Sequence, residues 1–253
     1  FNIIGPYFRS NKIVKDNLLR IDSNLESNQI KILKDSMWSN YGKNFVEYFF
    51  LKNFREKNDH INIKDNNQIN LIKSSGKPAI FVSGHFANFE LMSMELVKRD
   101  IKLATIYRPL NNIFINPLME KIRRTNVCKN QIKKGIGGIR EIYKYMNSGC
   151  SIALMIDQRV SEGEQIKFFG KNALTTTLPA QLALRFNCDI FPIYISRDKR
   201  NFFSIEFDEP LRHEDLKDKN LSKKEISLKL NLVLEKMIKR DPSQWILTHN
   251  RWK

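Results

Sequence analysis

The sequence is short of the residues that staple or metallate small proteins. Its 253 residues include three cysteines, Cys128, Cys150 and Cys188. They are odd in number, widely spaced and outside any CxxC or Cys/His cluster. That argues against a disulfide framework and a zinc site, and fits reduced thiols in a cytosolic compartment. A chain of this length buries roughly 70–75% of its unfolded surface and needs no such staple. Also missing is any run of roughly 20 apolar residues, so no segment reads as a membrane-spanning helix. Internal repeats, low-complexity tracts and long Pro/Gly linkers are absent too, which leaves one domain over residues 1–253 as the simplest organisation. No GKS/T follows the glycines of KKGIGGI (133–139), and no GxSxG elbow occurs. Those glycines read as loop punctuation, with Lys133 and Lys134 as anion contacts.

Acidic residues are scarce beside basic ones: 27 Asp and Glu against 43 Lys and Arg, a formal net charge of +16. Three partners fit that balance. Nucleic-acid phosphates attract Lys and Arg, an anionic membrane surface does the same, and an acidic soluble protein would be steered in by the whole field. The chain is also rich in Lys, Asn and Ile together, a composition that coding bias produces without any partner. The opening FNIIGPYF (1–8) is apolar and aromatic and is followed by basic residues. It reads equally as the tail of an anchor preceding Phe1 and as the start of a folded domain.

What is present is periodicity. Residues 10–55 read as helical. Within them NQIKILKDSMWSNYGKNFVEYFFLKNF (28–54) spaces its apolar residues by three and four, the pattern of amphipathic helices. Residues 61–75 are polar and read as a short helix and a loop. From residue 78 short apolar runs alternate with amphipathic stretches. Strands are expected at 78–83, 102–108, 151–157, 189–196 and 202–210. Helices are expected at 87–99, 112–125, from about 138, at 178–186 and at 221–240. Pro179 suits a first helical turn. The alternation predicts an α/β fold with a mostly parallel central sheet flanked by helices, preceded by a helical N-terminal region (1–60, then a core over 76–253). Ligands in such sheets sit at the carboxyl ends of strands. His85, Arg108 and Asp157 all fall at or just after such ends.

His85 is one of only four histidines and sits in SGHFANFE (83–90), just past the strand PAIFVS. Residues five apart do not share a helix face, so His85 and Glu90 can meet only if His85 lies in the turn before the helix. Gly84 suits that turn, and Asn88 lies between the two. The layout suits a base and its orienter: a carboxylate on one imidazole nitrogen fixes the tautomer, and the other nitrogen takes a proton from a hydroxyl. The bland reading is a strand-end histidine and a solvated helix glutamate. Ser83 as a nucleophile would define a serine hydrolase. The charge alone would suit a basic nucleic-acid-binding module, but no recognition helix or stacking motif accompanies it.

SGHFANFE resembles the H-x4-D/E motif of the lysophospholipid acyltransferase superfamily. IYRPLNNIFINPLMEKIR (106–123), LMIDQR (154–159), FFGKNALTTTLPAQLAL (168–184) and QWILTHNRW (244–252) follow in the order found in the lipid A biosynthesis late acyltransferases. These are the lauroyl- and myristoyltransferases of Gram-negative bacteria. NLLRIDSNLESNQIKILKDSMWSNYGKNFVEYFF (17–50) resembles that family's helical N-terminal region, so the resemblance covers nearly the whole chain. Ala87-Asn88-Phe89 stands where the family often has Gly-Asn-Trp. Leu247 and Asn250 stand where it commonly has Trp and Arg.

The resemblance implies a glycerol-phosphate-acyltransferase-like fold and acyl transfer from acyl carrier protein to a hydroxyl of a Kdo-bearing lipid A precursor. It places the reaction at the cytoplasmic face of the inner membrane, with no cofactor and no nucleic-acid partner. On it His85 is the general base and Glu90 orients it. Arg108 serves the oxyanion or an acceptor phosphate, and Asn88, Asp157, Gln158 and Arg159 hold the site or the acceptor. The same resemblance leaves another glycolipid or lysophospholipid acceptor, or acyl-CoA as donor, as the alternative. The acidic carrier protein and an anionic membrane surface would both use the positive charge. The FVEYFF stretch or Phe168 and Phe169 would line a groove for the acyl chain, or simply pack in the core.

Overall fold

The computed structural model describes Gly5, residues 9–110 and residues 112–253. Apart from Gly5, the apolar opening at 1–8 lies outside the described residues. The helical region consists of α1 (Asn11–Ile21), α2 (Ser27–Glu47), a 3-10 turn (Tyr48–Phe50) and α3 (Leu51–Glu56). Val14, Leu18 and Ile21 of α1 and Ile30, Met37 and Trp38 of α2 are buried, as three-and-four spacing requires for one apolar stripe.

The core then alternates as expected: β1 (Ile61–Lys64), α4 (Gln68–Ser75), β2 (Ile80–Ser83), α5 (Glu90–Lys98), β3 (Leu103–Tyr107), α6 (Asn116–Asn126), β4 (Asn130–Lys133), α7 (Ile136–Asn147) and β5 (Ser151–Met155). A hairpin of β6 (Glu164–Phe168) and β7 (Lys171–Thr175) follows. The chain closes with α8 (Leu178–Phe186), β8 (Ile190–Arg197), β9 (Phe203–Phe207), α9 (His213–Asp218), α10 (Lys223–Arg240) and a 3-10 turn at Pro242–Gln244. Seven strands form one sheet in the order β1-β9-β8-β2-β5-β3-β4. Every neighbouring pair is parallel except β8 with β9. The mostly parallel α/β sheet flanked by helices is therefore the architecture present.

The central strands β2 and β8 are buried almost throughout, which is why they read as continuous apolar runs. β1 and β4 were not foreseen. INIK, half polar, and NQIK, with one apolar residue in four, are short and sit at the two edges of the sheet, where only part of the strand faces the core. The β6–β7 hairpin was not foreseen either. Its two-residue turn, Phe169–Gly170, has positive φ at both positions (47° and 70°), and the first of these is not a turn-forming residue.

The register decides the site. Ser83 of β2 pairs with Met155 of β5, so the residues two beyond each strand end, His85 and Asp157, emerge side by side at the carboxyl rim.

Packing at the start of α7 gives a stability test. A Cβ on Gly138 would lie 2.2 Å from the Lys133 carbonyl oxygen, whereas one on Gly137 meets nothing within 4 Å. Gly138→Ala is expected to destabilise by about 1–3 kcal/mol because the helix must move off the end of β4. Gly137→Ala, on the same helix, is expected to stabilise by about 0.5–1 kcal/mol. Urea denaturation of the two variants checks both signs.

Candidate active site

His85 lies in the turn between β2 and α5, its side chain about one-fifth exposed. Its ring Nδ1 is 2.7 Å from Asp157 Oδ1. An ionised carboxylate only accepts, so Nδ1 carries the proton and Nε2 is left as the free base nitrogen. The backbone N–H of His85 donates to Asp157 Oδ2 at 2.9 Å, and the indole Nε1–H of Trp245 donates to the same oxygen at 2.8 Å. Asp157 is fully buried. Burial alone would raise its pKa; the His85 ring and these donors outweigh that and hold the carboxyl below its ordinary value.

The carboxylate on the ring is thus Asp157's, not that of Glu90. Glu90 opens α5 and turns to the other side of the rim. There its Oε1 accepts from Arg123 Nε at 2.7 Å and from the Tyr48 hydroxyl at 3.1 Å. Burial and the Glu90 charge together push the Tyr48 hydroxyl well above its usual value. The Arg123 guanidinium lies over the rings of Tyr48 and Tyr107. The resembling stretch 106–123 ends on Arg123, but nothing in the sequence singled it out.

The turn between these two centres is held at nearly every residue. Phe86 bridges to Trp245. Ala87 has φ +40°, its N–H donates to the Gln244 carbonyl at 2.9 Å, and its carbonyl accepts from the Asn44 amide. Asn88 donates to Glu47 at 3.0 Å. Glu47 is in turn forked by the buried Arg197, which also reaches Asn44 at 2.6 Å. Phe89 packs edge-on against the His85 ring at 4.6 Å. The left-handed φ at Ala87 favours glycine, which accounts for the residue often found there in the resembling family.

The other expected site residues are more scattered. Arg108 is exposed just past β3, and Gln158 is half-buried beside Asp157. The Arg159 side chain faces the chain's end, donating to the Lys253 carbonyl at 3.0 Å, while its backbone N–H donates to His249 Nε2 at 2.9 Å. Lys133 is 3.5 Å from Glu120, and Lys134 is exposed. Ser83 is buried and donates its hydroxyl to the Ile193 carbonyl at 2.6 Å, which turns it into the sheet. Phe168 is fully buried and stacks on Trp252, so it packs the core.

The model of the bacterial lipid A biosynthesis acyltransferase family matches residues 3–253. The chain belongs to that family. A search of the curated proteins found no match. In this acyltransferase the matched region includes the His85 turn, the Asp157 strand end and the closing Trp245 segment.

A second histidine near the acyltransferase's rim is electrostatically silent. Burial pushes His249 down to about 4, so it is neutral at pH 7. The unfolded chain, with a histidine value of about 6.5, takes up that proton first. Stability is therefore expected to fall as pH drops from about 6.5 towards 4. His249→Gln, which keeps an acceptor for the Arg159 N–H, is expected to flatten that limb. Thermal melts of both proteins across the window test it; parallel curves would remove His249 from the acid response.

Proposed function

We propose that this acyltransferase moves a fatty acyl chain from an acyl carrier protein thioester to a hydroxyl of a Kdo-bearing lipid A precursor at the cytoplasmic face of the inner membrane. The observation that carries the mechanism is the pairing of His85 Nδ1 with the fully buried Asp157. His85 Nε2 removes the acceptor hydroxyl's proton as its oxygen attacks the thioester carbonyl. Asp157 stabilises the imidazolium that forms. The tetrahedral intermediate collapses by breaking the carbon–sulfur bond, and the imidazolium returns the proton to the leaving thiolate. An ester and a free thiol result, with no acyl-enzyme.

Glu90 acts through Arg123 rather than through the ring. The ion pair holds a guanidinium at the same rim, where it can face the developing oxyanion or an acceptor phosphate. Arg108, exposed beyond β3, serves the same anions from the solvent side. Asn88 and Gln158 shape the site between the two carboxylates, and Asn88 does so while tied to Glu47. Arg159 belongs to the outer wall. The positive net charge suits both an acidic carrier protein and an anionic acceptor.

The deciding assay incubates the protein with the phosphorylated, Kdo-bearing precursor and a panel of acyl carrier protein thioesters, and reads products by mass. One added acyl chain is expected, with the best donor giving the chain length. His85→Ala and Asp157→Asn are each expected to lower kcat by about 10²–10⁴ with KM nearly unchanged. Glu90→Gln, which strands Arg123 without its anion, is expected to lower Tm and raise the acceptor KM more than it lowers kcat. A Glu90→Gln loss confined to kcat would return Glu90 to the proton path. Wild-type transfer only from acyl-CoA, or only to a lysophospholipid, would replace the donor or the acceptor and keep the chemistry.

A further inference from the structure

The loop between β3 and α6 is built to hold apolar side chains in water. Asn112 Oδ1 accepts from the backbone N–H groups of Phe114 and Ile115 at 3.0 and 3.1 Å, and Asn116 Oδ1 accepts from that of Leu110 at 2.7 Å. These side-chain bonds shape the turn. On it Phe114 is 86% exposed and Ile113 74%, with Leu110 and Ile115 also exposed, as is Leu118 in the first turn of α6. Single exposed apolar residues need no explanation, but five within nine positions form a patch that calls for a partner. Phe49 and Phe50 add two more exposed rings, directly after the Tyr48 that hydrogen-bonds Glu90.

Charge identifies the partner. Residues 108–134 carry seven basic residues and one acidic one, Glu120. Lys121 and Arg124 on α6 and Lys129, Lys133 and Lys134 beyond it are all exposed. Apolar side chains flanked by Lys and Arg are the composition of an interfacial anchor on an anionic bilayer. A second copy of this chain fits less well, because a two-fold contact sets each patch against itself and would bring these cations together. Among the described residues no helix is long and apolar enough to cross a membrane, so within them the lipid contact has to be made by a surface.

We propose that the segment 112–118, the end of the β3–α6 loop and the first turn of α6, inserts into the anionic leaflet, with Ile113 and Phe114 in the acyl region and Lys121 and Arg124 on the headgroups. The loop follows β3, whose end lies on the same rim as His85 and Asp157. Docked this way, the catalytic turn opens towards the bilayer, and a lipid acceptor reaches His85 without leaving it. This last consequence rests on the lipid acceptor proposed above; the docking itself does not.

The test is sedimentation of the full chain with vesicles of phosphatidylcholine alone or with 30% phosphatidylglycerol, compositions chosen as probes. Wild type is expected to bind the anionic vesicles at least tenfold more tightly than the neutral ones. The exposed double change Ile113→Ser/Phe114→Ser is expected to weaken that binding at least tenfold, with its melting temperature unchanged. Lys121→Glu/Arg124→Glu is expected to weaken it by about fivefold per charge removed and to reduce its dependence on salt. Wild-type protein that binds these vesicles yet transfers no acyl chain would refute the reaction and leave the docking face standing. Wild-type affinity in the Ile113→Ser/Phe114→Ser protein overturns the proposal. So does a wild-type dimer that these substitutions dissociate, which would assign the face to a second copy.

Discussion

A carboxylate taken wholly out of water is costly unless donors converge on it. Asp157 is such a group, and much of this structure serves to satisfy it. Two of its hydrogen bonds come from His85, through ring and backbone, and the third from Trp245 near the end of the chain. The ring cannot be oriented unless β2 and β5 lie side by side in register, and the indole cannot reach unless the last residues fold back under the rim. Phe168, at the end of β6, packs against both Trp245 and Trp252. The hairpin that interrupts the α/β alternation thereby supports the His85 turn through Trp245.

The same turn is held from outside by the N-terminal region. Glu47 and Asn44 of α2 are tied at once to Arg197 of β8 and to residues 87 and 88. That arrangement turns a helix ahead of the sheet into part of the site's scaffold. It also keeps Ala87 in a conformation that a side chain resists, because both of its peptide groups are bonded. Five residues along the chain separate two carboxylate systems with different partners: Asp157 accepts from the ring and backbone of His85, while Glu90 accepts from the Arg123 guanidinium. Two acidic groups at one rim remain compatible because each has its own positive or proton-donating partner.

The rim also divides by surface chemistry. The His85–Asp157 pair sits in a closely packed turn, whereas the segment leaving β3 turns apolar and then basic within a few residues. An acyltransferase of lipid A biosynthesis handles a lipid, and an apolar, basic surface beside a polar site suits that task.

Much was legible in the sequence alone. Continuous apolar runs marked β2, β3, β5 and β8, and helix spacing marked α1 to α3, α8 and α10, with α8 falling on the expected residues 178–186. Motifs in series carried the family. His85 and Asp157 were both visible as polar residues at strand ends. Local pattern could not reveal β1 and β4, because edge strands of mixed polarity lack a clear period, or β6 and β7, which lie outside the main sheet. Nor could it assign the partner of His85. Glu90 is near in sequence and was the natural choice, yet side chains five apart leave a turn in different directions. Asp157 is 72 residues away and arrives through strand order and register. The sequence by itself determined which residues could do the chemistry and which strands would be buried. Only the tertiary structure decided which carboxylate faces the imidazole, because hydrogen bonds between distant segments depend on where the sheet sets its strands.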